Sequence, residues 1–299
     1  MNNILITGAA GFIGANLSSS LKSKGYKVFG VDDLSVKPVI QPSENIQIRS
    51  VQSIDKDFLL ENRIKKIVHL AAKKNVKESF YNLDNSVENF EMTLKLFDAA
   101  VHAEIDNIYL ASTCEIFGFQ DKILDEESNF NPYSPYAVSK VANEYLANVY
   151  MRYQNKLKIT SLNFFNTYGP TEGIDAVIPN FVLKAINNEN VFIEGDGLQA
   201  RDFTYIDDTI NVLNNIIENE NDYYRYLNIG TGDDASIIEI FNILKEYFPN
   251  LKCEHVDKRP NEVKTFIADN KIIKDKFNFK STVDLKSGIK KVIDFYLET

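Results

Sequence analysis

Short apolar runs alternate with longer helical patterns over the first half of the chain. The apolar runs are rich in β-branched residues and predict strands at residues 4–7, 27–31, 66–70, 107–111 and 158–164. The stretches between them predict helices at residues 14–24, 58–63, 87–102 and 136–153. Continuously apolar strands separated by helices indicate a parallel sheet covered on both faces. The first half is therefore predicted to be a doubly wound α/β domain.

The pattern loosens after about residue 165, where glycine and proline divide the chain into shorter elements. The dividing residues are Pro170, Gly173, Pro179, Gly195, Gly197, Gly230, Gly232 and Pro260. This favours a smaller, mixed α/β lobe that binds substrate. We expect a dinucleotide-binding domain over residues 1–165 and the second lobe over residues 166–299, partly interleaved with the first domain.

Charge and composition exclude several classes of protein. The 299 residues are 44% hydrophobic and 25% charged, which is typical of a globular protein. The net charge of −9 argues against nucleic-acid or anionic-membrane partners. No apolar run approaches the roughly 20 residues that span a bilayer, and no signal peptide precedes the first strand, so we expect a cytoplasmic protein. Two cysteines, Cys114 and Cys253, are too few for a disulfide framework or a zinc cage, and no metal is expected.

A glycine-rich turn joins the first strand to the first helix. Gly8 permits the tight turn, Gly11 lets the backbone approach a pyrophosphate, and Gly14 allows close packing of helix on strand. The helix N-terminus offers free N–H groups to the phosphates. Asp32, at the end of the second strand, can accept hydrogen bonds from the adenosine ribose and repel a 2′-phosphate. This combination predicts a Rossmann fold that binds NAD rather than NADP.

Three residues suggest acid–base chemistry. Tyr136 and Lys140 are four residues apart and share one face of a predicted helix. A phenol becomes a base at neutral pH only where a nearby cation stabilises the phenolate, and Lys140 can supply that charge. Thr113 follows the fourth predicted strand, at the edge of the sheet where ligands of open α/β sheets bind. Its hydroxyl can pass a proton between a substrate and Tyr136.

Taken together, the motifs resemble the extended short-chain dehydrogenase/reductase family that acts on nucleotide sugars. The first half carries Thr-Gly-x-x-Gly-Phe-Ile-Gly at residues 7–14, His-Leu-Ala-Ala at 69–72, Ser-Thr at 112–113 with Phe-Gly at 117–118, and Ser-Pro-Tyr-x-x-x-Lys at 134–140. The second half carries Phe-Phe-Asn-Thr-Tyr-Gly-Pro at 164–170, Gly-Asp-Gly-x-x-x-Arg-Asp-Phe at 195–203, Asn-Ile-Gly-Thr-Gly at 228–232 and Arg-Pro at 259–260.

The resemblance implies an enzyme that keeps NAD bound and transiently oxidises a nucleotide-diphosphate sugar at carbon 4, with the tyrosine as base and the threonine assisting. It implies that Asn166 contacts the sugar nucleotide and that Arg201 and Arg259 hold its diphosphate, for which a guanidinium is well suited. It implies a homodimer built on the helices at 87–102 and 136–153. It also assigns further residues to the cofactor site, namely Phe12, Ile13, Leu70, Ala71, Ala72, Lys74 and Asn89.

The reaction that follows oxidation is the open question. Dehydratases and decarboxylases of the family carry a glutamate where this chain has Glu115, whereas many 4-epimerases have a small residue, so a 4,6-dehydratase is favoured over a 4-epimerase. Alternating strand geometry would turn Thr113 and Glu115 to one side. Cys114 is a candidate acid, although some pentose 4-epimerases share Ser-Thr-Cys. A uronate decarboxylase and a silent scaffold rank lower, the latter because Tyr136 and Lys140 are intact.

Overall fold

The computed structural model describes residues 3–41, 46–120, 123–219, 222–258 and 263–299. The chain folds into two units. Unit 1 consists of Met1–Gly118, Glu126–Phe164 and Leu213–Leu227, and unit 2 consists of Phe119–Asp125, Phe165–Val212 and Asn228–Thr299. The chain therefore passes between the units several times. No helix in the described residues is long and apolar enough to cross a bilayer.

In the first half, the predicted strands and helices occur in the predicted order, and a short strand at Ile46–Ile48 and a short helix at Val76–Ser79 are present in addition to them. The strands are β1 (Asn3–Thr7), β2 (Lys27–Asp32), β3 (Ile46–Ile48), β4 (Ile64–His69), β5 (Asn107–Thr113), β6 (Lys158–Phe164), β7 (Asn166–Tyr168), β8 (Val191–Glu194), β9 (Ala200–Tyr205), β10 (Tyr226–Ile229), β11 (Asp234–Ser236), β12 (Cys253–Val256) and β13 (Thr265–Phe266). The helices are α1 (Phe12–Ser23), α2 (Lys56–Glu61), α3 (Val76–Ser79), α4 (Asp84–His102), α5 (Pro135–Tyr153), α6 (Val177–Ile186), α7 (Ile206–Glu218), α8 (Ile237–Tyr247), α9 (Lys271–Phe277) and α10 (Leu285–Glu298). Two 3₁₀ turns cover Val51–Ser53 and Cys114–Ile116.

The centre of unit 1 is a seven-stranded sheet in the order β10-β6-β5-β4-β1-β2-β3. Strand β1 pairs in parallel with β2 and β4, and β5 pairs in parallel with β4 and β6. Strands β1, β4 and β5 are almost entirely buried, which is why they read as continuous apolar runs. The predicted doubly wound parallel sheet is confirmed.

Helix α4 is held in place by packing in the core of unit 1, and the start of α5 is set by an N-terminal cap. Leu96 and Phe97 of α4 are fully buried in that core. Helix α5 starts where the Ser134 side chain accepts a hydrogen bond from the Ala137 N–H at 3.1 Å, with Pro135 in the first turn. The cap fixes where α5 begins, and therefore the orientation of Tyr136 in its first turn.

Unit 2 contains the smaller mixed sheet. Strand β9 pairs antiparallel with β11 and parallel with β13 and β7, and β8 forms a separate parallel pair with β12. The buried Asp202 carboxylate joins three of its segments, because it accepts hydrogen bonds from the N–H groups of Thr231, Gly232 and Ala268. The predicted mixed α/β lobe is confirmed.

Candidate active site

The glycine turn of unit 1 has the tight geometry that its sequence predicts. Gly8 has φ of 70°, in the left-handed region that favours glycine. A Cβ added to Gly14 would lie 2.0 Å from the Gly8 carbonyl oxygen, so only glycine fits there. Gly11 is the N-cap of α1, and no side chain of the described residues caps that helix. The first-turn N–H groups are therefore available to a phosphate.

Asp32 lies beside this turn at the end of β2. Its Oδ2 accepts a hydrogen bond from the Ala10 N–H at 3.0 Å, and its Oδ1 accepts one from the Leu34 N–H at 2.9 Å. These bonds fix the carboxylate while leaving lone pairs for further donors. The arrangement suits a ribose with free hydroxyl groups and disfavours a 2′-phosphate.

The segment after β4 closes the other side of the turn. The Leu70 N–H donates to the Thr7 carbonyl at 3.1 Å, and a Cβ on Gly8 would lie 2.7 Å from the Ala71 nitrogen. Asn89 of α4, which is 2% exposed, binds the Lys73 backbone twice, with Oδ1 2.8 Å from its N–H and Nδ2 3.1 Å from its carbonyl. The predicted residue Lys74 is exposed, whereas the neighbouring Lys73 ammonium contacts Ser35 in the loop after β2.

These features fit a bound dinucleotide. The absence of Cβ atoms at Gly8 and Gly14 lets the turn pack closely against residues 70–71 and the start of α1. No side chain of the described residues caps the first-turn amides of α1, and Asp32 binds the Ala10 N–H of the turn. The glycines of the turn, with Phe12 and Ile13 at the start of α1, would hold the pyrophosphate. Residues 70–74 and Asn89 would line the side of the site formed by β4 and α4.

The Tyr136 and Thr113 side chains come together at the carboxyl end of β5. Both are buried, at 8% exposure each, and the two hydroxyl groups are hydrogen-bonded to each other. Thr113 Oγ1 also accepts a hydrogen bond from the Glu115 N–H at 3.3 Å. The Thr113 hydroxyl is thus held next to the phenol, as a proton relay requires.

Glu115 reaches this site in a different way from the one expected. Strand β5 ends at Thr113, and Glu115 belongs to the 3₁₀ turn Cys114–Ile116, so the argument from strand alternation was wrong. The tight turn nevertheless keeps Glu115 and Cys114 near the phenol. Burial raises the pKa of Tyr136, and electrostatic interaction with the nearby Glu115 and Cys114 side chains raises it further.

Lys140 lies one helical turn after Tyr136 and is almost completely buried. Its Nζ donates to the Ala111 carbonyl at 2.8 Å and lies 5.8 Å from the centre of the Tyr136 ring. Burial lowers the pKa of Lys140 to about 8, and the carboxylate of Glu144 opposes that effect. The raised pKa of Tyr136 favours the neutral phenol in this structure. Stabilisation of a phenolate by Lys140 therefore stays a prediction for the protein with NAD and substrate bound.

The predicted substrate residues belong to unit 2. Asn166 is the first residue of β7 and pairs with Phe203 of β9. Arg201 lies two residues before Phe203 on β9. The Arg201 guanidinium lies over the Phe266 ring at 5.2 Å and donates to the Ala200 carbonyl at 2.8 Å. Asn166 and Arg201 therefore lie on neighbouring strands. Arg259 lies outside the described residues.

Sequence reasoning missed two buried groups of unit 1 near the catalytic side chains. His69 ends β4, and Glu144 lies one turn after Lys140 on α5. His69 begins the His-Leu-Ala-Ala motif, but the motif assigns it no role. For Glu144, the sequence offers only its position four residues after Lys140, on the same helix face. The partners of both are distant in sequence, so only the fold reveals the contacts.

The fold and the site define a class of NAD-dependent enzymes of the short-chain dehydrogenase/reductase type. Residues 4–230 match the model of the family described as "NAD dependent epimerase/dehydratase family". The chain belongs to this family, which confirms NAD as the cofactor and the nucleotide-sugar epimerase/dehydratase resemblance.

Relatives with different reactions resemble this chain to a similar degree. A UDP-glucuronate 4-epimerase from Thermodesulfobacterium geofontis is 31% identical over 321 residues, covering 100% of this chain and 97% of the relative. The dTDP-D-glucose 4,6-dehydratase of Homo sapiens is 30% identical, covering 99% of this chain and 90% of the relative. The solved structure of TunA, described as an NAD dependent-NDP-hexosamine 5,6-dehydratase involved in tunicamycin biosynthesis, is 30% identical with a TM-score of 0.95 and covers 100% of this chain and 98% of TunA. The family is thereby established, and the individual reaction is not.

Proposed function

We propose that this protein is a nucleotide-sugar dehydratase that oxidises the sugar transiently at carbon 4 and eliminates water across carbons 5 and 6. The observation that carries the proposal is the position of the Glu115 carboxylate, close enough to the Tyr136 phenol to raise its pKa. A 4-epimerase needs a proton acceptor for one hydroxyl only. A dehydratase needs a second base beside the ketone.

The chain's own residues divide the work as follows. Tyr136, through the Thr113 hydroxyl, takes the proton of the carbon-4 hydroxyl, and bound NAD supplies the reversible hydride acceptor for carbon 4. Glu115 then takes the proton from carbon 5, and the electron pair of the broken C5–H bond forms the C5–C6 double bond. The C6–O bond breaks, and the hydroxyl leaves as water after accepting a proton, for which the buried Cys114 thiol is the candidate donor.

The fate of the hydride distinguishes two kinds of dehydratase. Hydride delivery to carbon 6 would give a 4-keto sugar with a methyl group, and the human relative is named a 4,6-dehydratase. Return of the hydride to carbon 4 leaves the C5–C6 double bond, as the name of the 5,6-dehydratase TunA implies. The proposal includes both outcomes. In either, the proton donor for the leaving hydroxyl would be the Cys114 thiol, and a thiol is a weaker acid than a carboxylic acid.

A nucleotide-sugar 4-epimerase is the second candidate. It is supported by the 31% identical UDP-glucuronate 4-epimerase and by the hydrogen-bonded Tyr136 and Thr113, because that reaction needs no further base once NAD and Lys140 are in place. In that case the Glu115 carboxylate would orient the sugar rather than remove a proton.

Product analysis with a panel of UDP-, dTDP-, GDP- and CDP-sugars decides between these candidates. We expect mass spectrometry to find loss of one water from one sugar, because Glu115 supplies the second base. Replacing Glu115 by glutamine should then lower kcat by about 10²–10⁴-fold. Glu127→Gln, which changes an exposed carboxylate of the same unit, is the matched control and should leave kcat unchanged.

A product of unchanged mass but altered retention would overturn the dehydratase proposal in favour of the epimerase. If water is lost, proton NMR separates a new methyl group from a new exocyclic methylene group. Loss of water that is equally fast in Glu115→Gln would remove Glu115 from the mechanism.

We also propose a homodimer formed by the outer face of α4 and α5. Val138, Tyr145, Val149 and Tyr153 recur at helical spacing on α5, and each is more than half exposed in the single chain, as is Val87 on α4. Apolar side chains in such a row are typical of a helix that packs against a partner. Light scattering at micromolar concentration should give twice the chain mass, and a monomer mass would contradict this proposal.

A further inference from the structure

His69 is a buried imidazole at the end of β4 that no proposed catalytic step uses. The side chain is 2% exposed and lies between two threonine hydroxyls. Its Nδ1 is 2.7 Å from Thr7 Oγ1 at the end of β1, and its Nε2 is 3.2 Å from Thr93 Oγ1 on α4. The ring therefore links two strand ends of the NAD site to the neighbouring helix.

The surrounding hydrogen bonds determine where the imidazole proton lies. The Thr93 hydroxyl donates to the Asn89 carbonyl at 2.9 Å, so its oxygen is left to accept a proton from Nε2–H. The Thr7 oxygen accepts from the Ala71 N–H at 3.3 Å, which leaves its own proton for Nδ1. A neutral imidazole has one donor and one acceptor, and the Nε2–H tautomer satisfies every group.

The charge state agrees with this assignment. Burial lowers the pKa of His69 to about 3, and the nearby Lys140 ammonium contributes to the shift. The ring is thus neutral over the range in which histidines ordinarily titrate. It is suited to a fixed structural link rather than to proton transfer.

Both ends of this link lead to parts of the NAD site. Thr7 directly precedes Gly8, and its backbone carbonyl also binds the Leu70 N–H. On the other side, Asn89 holds the Lys73 backbone through two hydrogen bonds. The same Asn89 amide donates to Ser139 Oγ at 3.5 Å, and Ser139 donates to the Tyr136 carbonyl at 2.7 Å. One continuous chain of hydrogen bonds thus joins the glycine turn to the start of the catalytic helix.

We propose that His69, as the Nε2–H tautomer, is a positioning residue that fixes the glycine turn, residues 70–73 and α4 in the arrangement that binds NAD. This role concerns the cofactor site alone. It is independent of whether the enzyme dehydrates or epimerises its substrate, so the two proposals can fail separately.

The first test uses the unmodified protein. The chain has three histidines, and the other two, His102 and His255, are exposed. Nitrogen-15 NMR of the protein stripped of nucleotide, with His69→Gln to assign the signal, should show a neutral ring protonated at Nε2 from about pH 5 to 8. A ring protonated at Nδ1, or one that titrates in this range, would overturn the proposal.

The second test measures NAD affinity by calorimetry on stripped protein. Thr93→Val removes the acceptor of Nε2–H at almost constant shape, and should weaken NAD binding about tenfold or more because a buried donor is left unpaired. Thr93→Ser restores the hydroxyl and should restore the affinity. Thr160→Val is the matched control, since Thr160 is a buried residue of the same unit whose hydroxyl binds the Tyr224 carbonyl at 2.8 Å. Equal NAD affinity in Thr93→Val and Thr160→Val would show that His69 has no positioning role.

Discussion

Replacing Tyr136 by phenylalanine is expected to lower kcat by about 10²–10⁴-fold, the usual contribution of a positioned acid–base group. The substitution removes one hydroxyl and keeps the ring, which is 8% exposed and seated at the capped start of α5. The hydroxyl is the partner of Thr113, so its loss also breaks the path along which a proton leaves the sugar. Turnover of the preferred nucleotide sugar, followed by mass spectrometry or chromatography, gives the rate.

Tyr81→Phe is the control for this prediction. Tyr81 belongs to the same unit and is 85% exposed, so the same atomic change there should leave kcat within a factor of about two. NAD binding should be kept in Tyr136→Phe, because the glycine turn and Asp32 are untouched. Undiminished turnover in Tyr136→Phe would contradict the catalytic assignment, whichever reaction the enzyme performs.

The parts of the site that were predictable depend on short stretches of sequence. Gly8, Gly11 and Gly14 lie within one turn, and Tyr136 and Lys140 lie on one helix, so local geometry alone determines how each set is arranged. The same holds for strands with continuous apolar runs. The predicted ends of the helices were less accurate. Helix α4 begins at Asp84 and not at residue 87, because the polar residues of its first turn give no apolar signal.

The features that were missed depend on contacts between residues far apart in the chain. Strand β3 has three residues and lies at the edge of the sheet, too short for a periodic signal. The turn that carries Glu115 is a local departure from the strand pattern. His69 and Thr7 are separated by 62 residues, and Glu144 and Arg225 by 81, and no pattern within one element could pair them.

A buried ion pair one turn after Lys140 on α5 provides the second large prediction. The Arg225 guanidinium donates to Glu144 Oε2 at 2.8 Å and to the Glu144 carbonyl at 3.0 Å. It also donates to Ser161 Oγ at 2.6 Å and to Asn148 Oδ1 at 3.1 Å. The Glu144 side chain is 1% exposed. Helix α5 is therefore linked to β6 through Arg225, and also directly by the Ser161 hydroxyl, which donates to Glu144 Oε2 at 2.5 Å.

Replacing Arg225 by methionine is expected to cost about 3–5 kcal/mol of unfolding free energy, because it leaves the Glu144 carboxylate buried without its cation. The double substitution with Glu144→Gln should lose less than the sum of the two single losses, since the uncompensated charge is gone. Urea unfolding followed by circular dichroism measures all of these variants.

An exposed ion pair of the same unit shows why burial decides the size of this effect. Lys24 Nζ lies 2.8 Å from Glu218 Oε1, as close as the buried pair, but both side chains are more than a third exposed. Water and ions screen such a pair, so Lys24→Met should cost only about 0–1 kcal/mol. If Arg225→Met cost no more than Lys24→Met, the guanidinium would not be what holds α5, and the position of Tyr136 and Lys140 would depend on the Ser134 cap and the core beneath the helix.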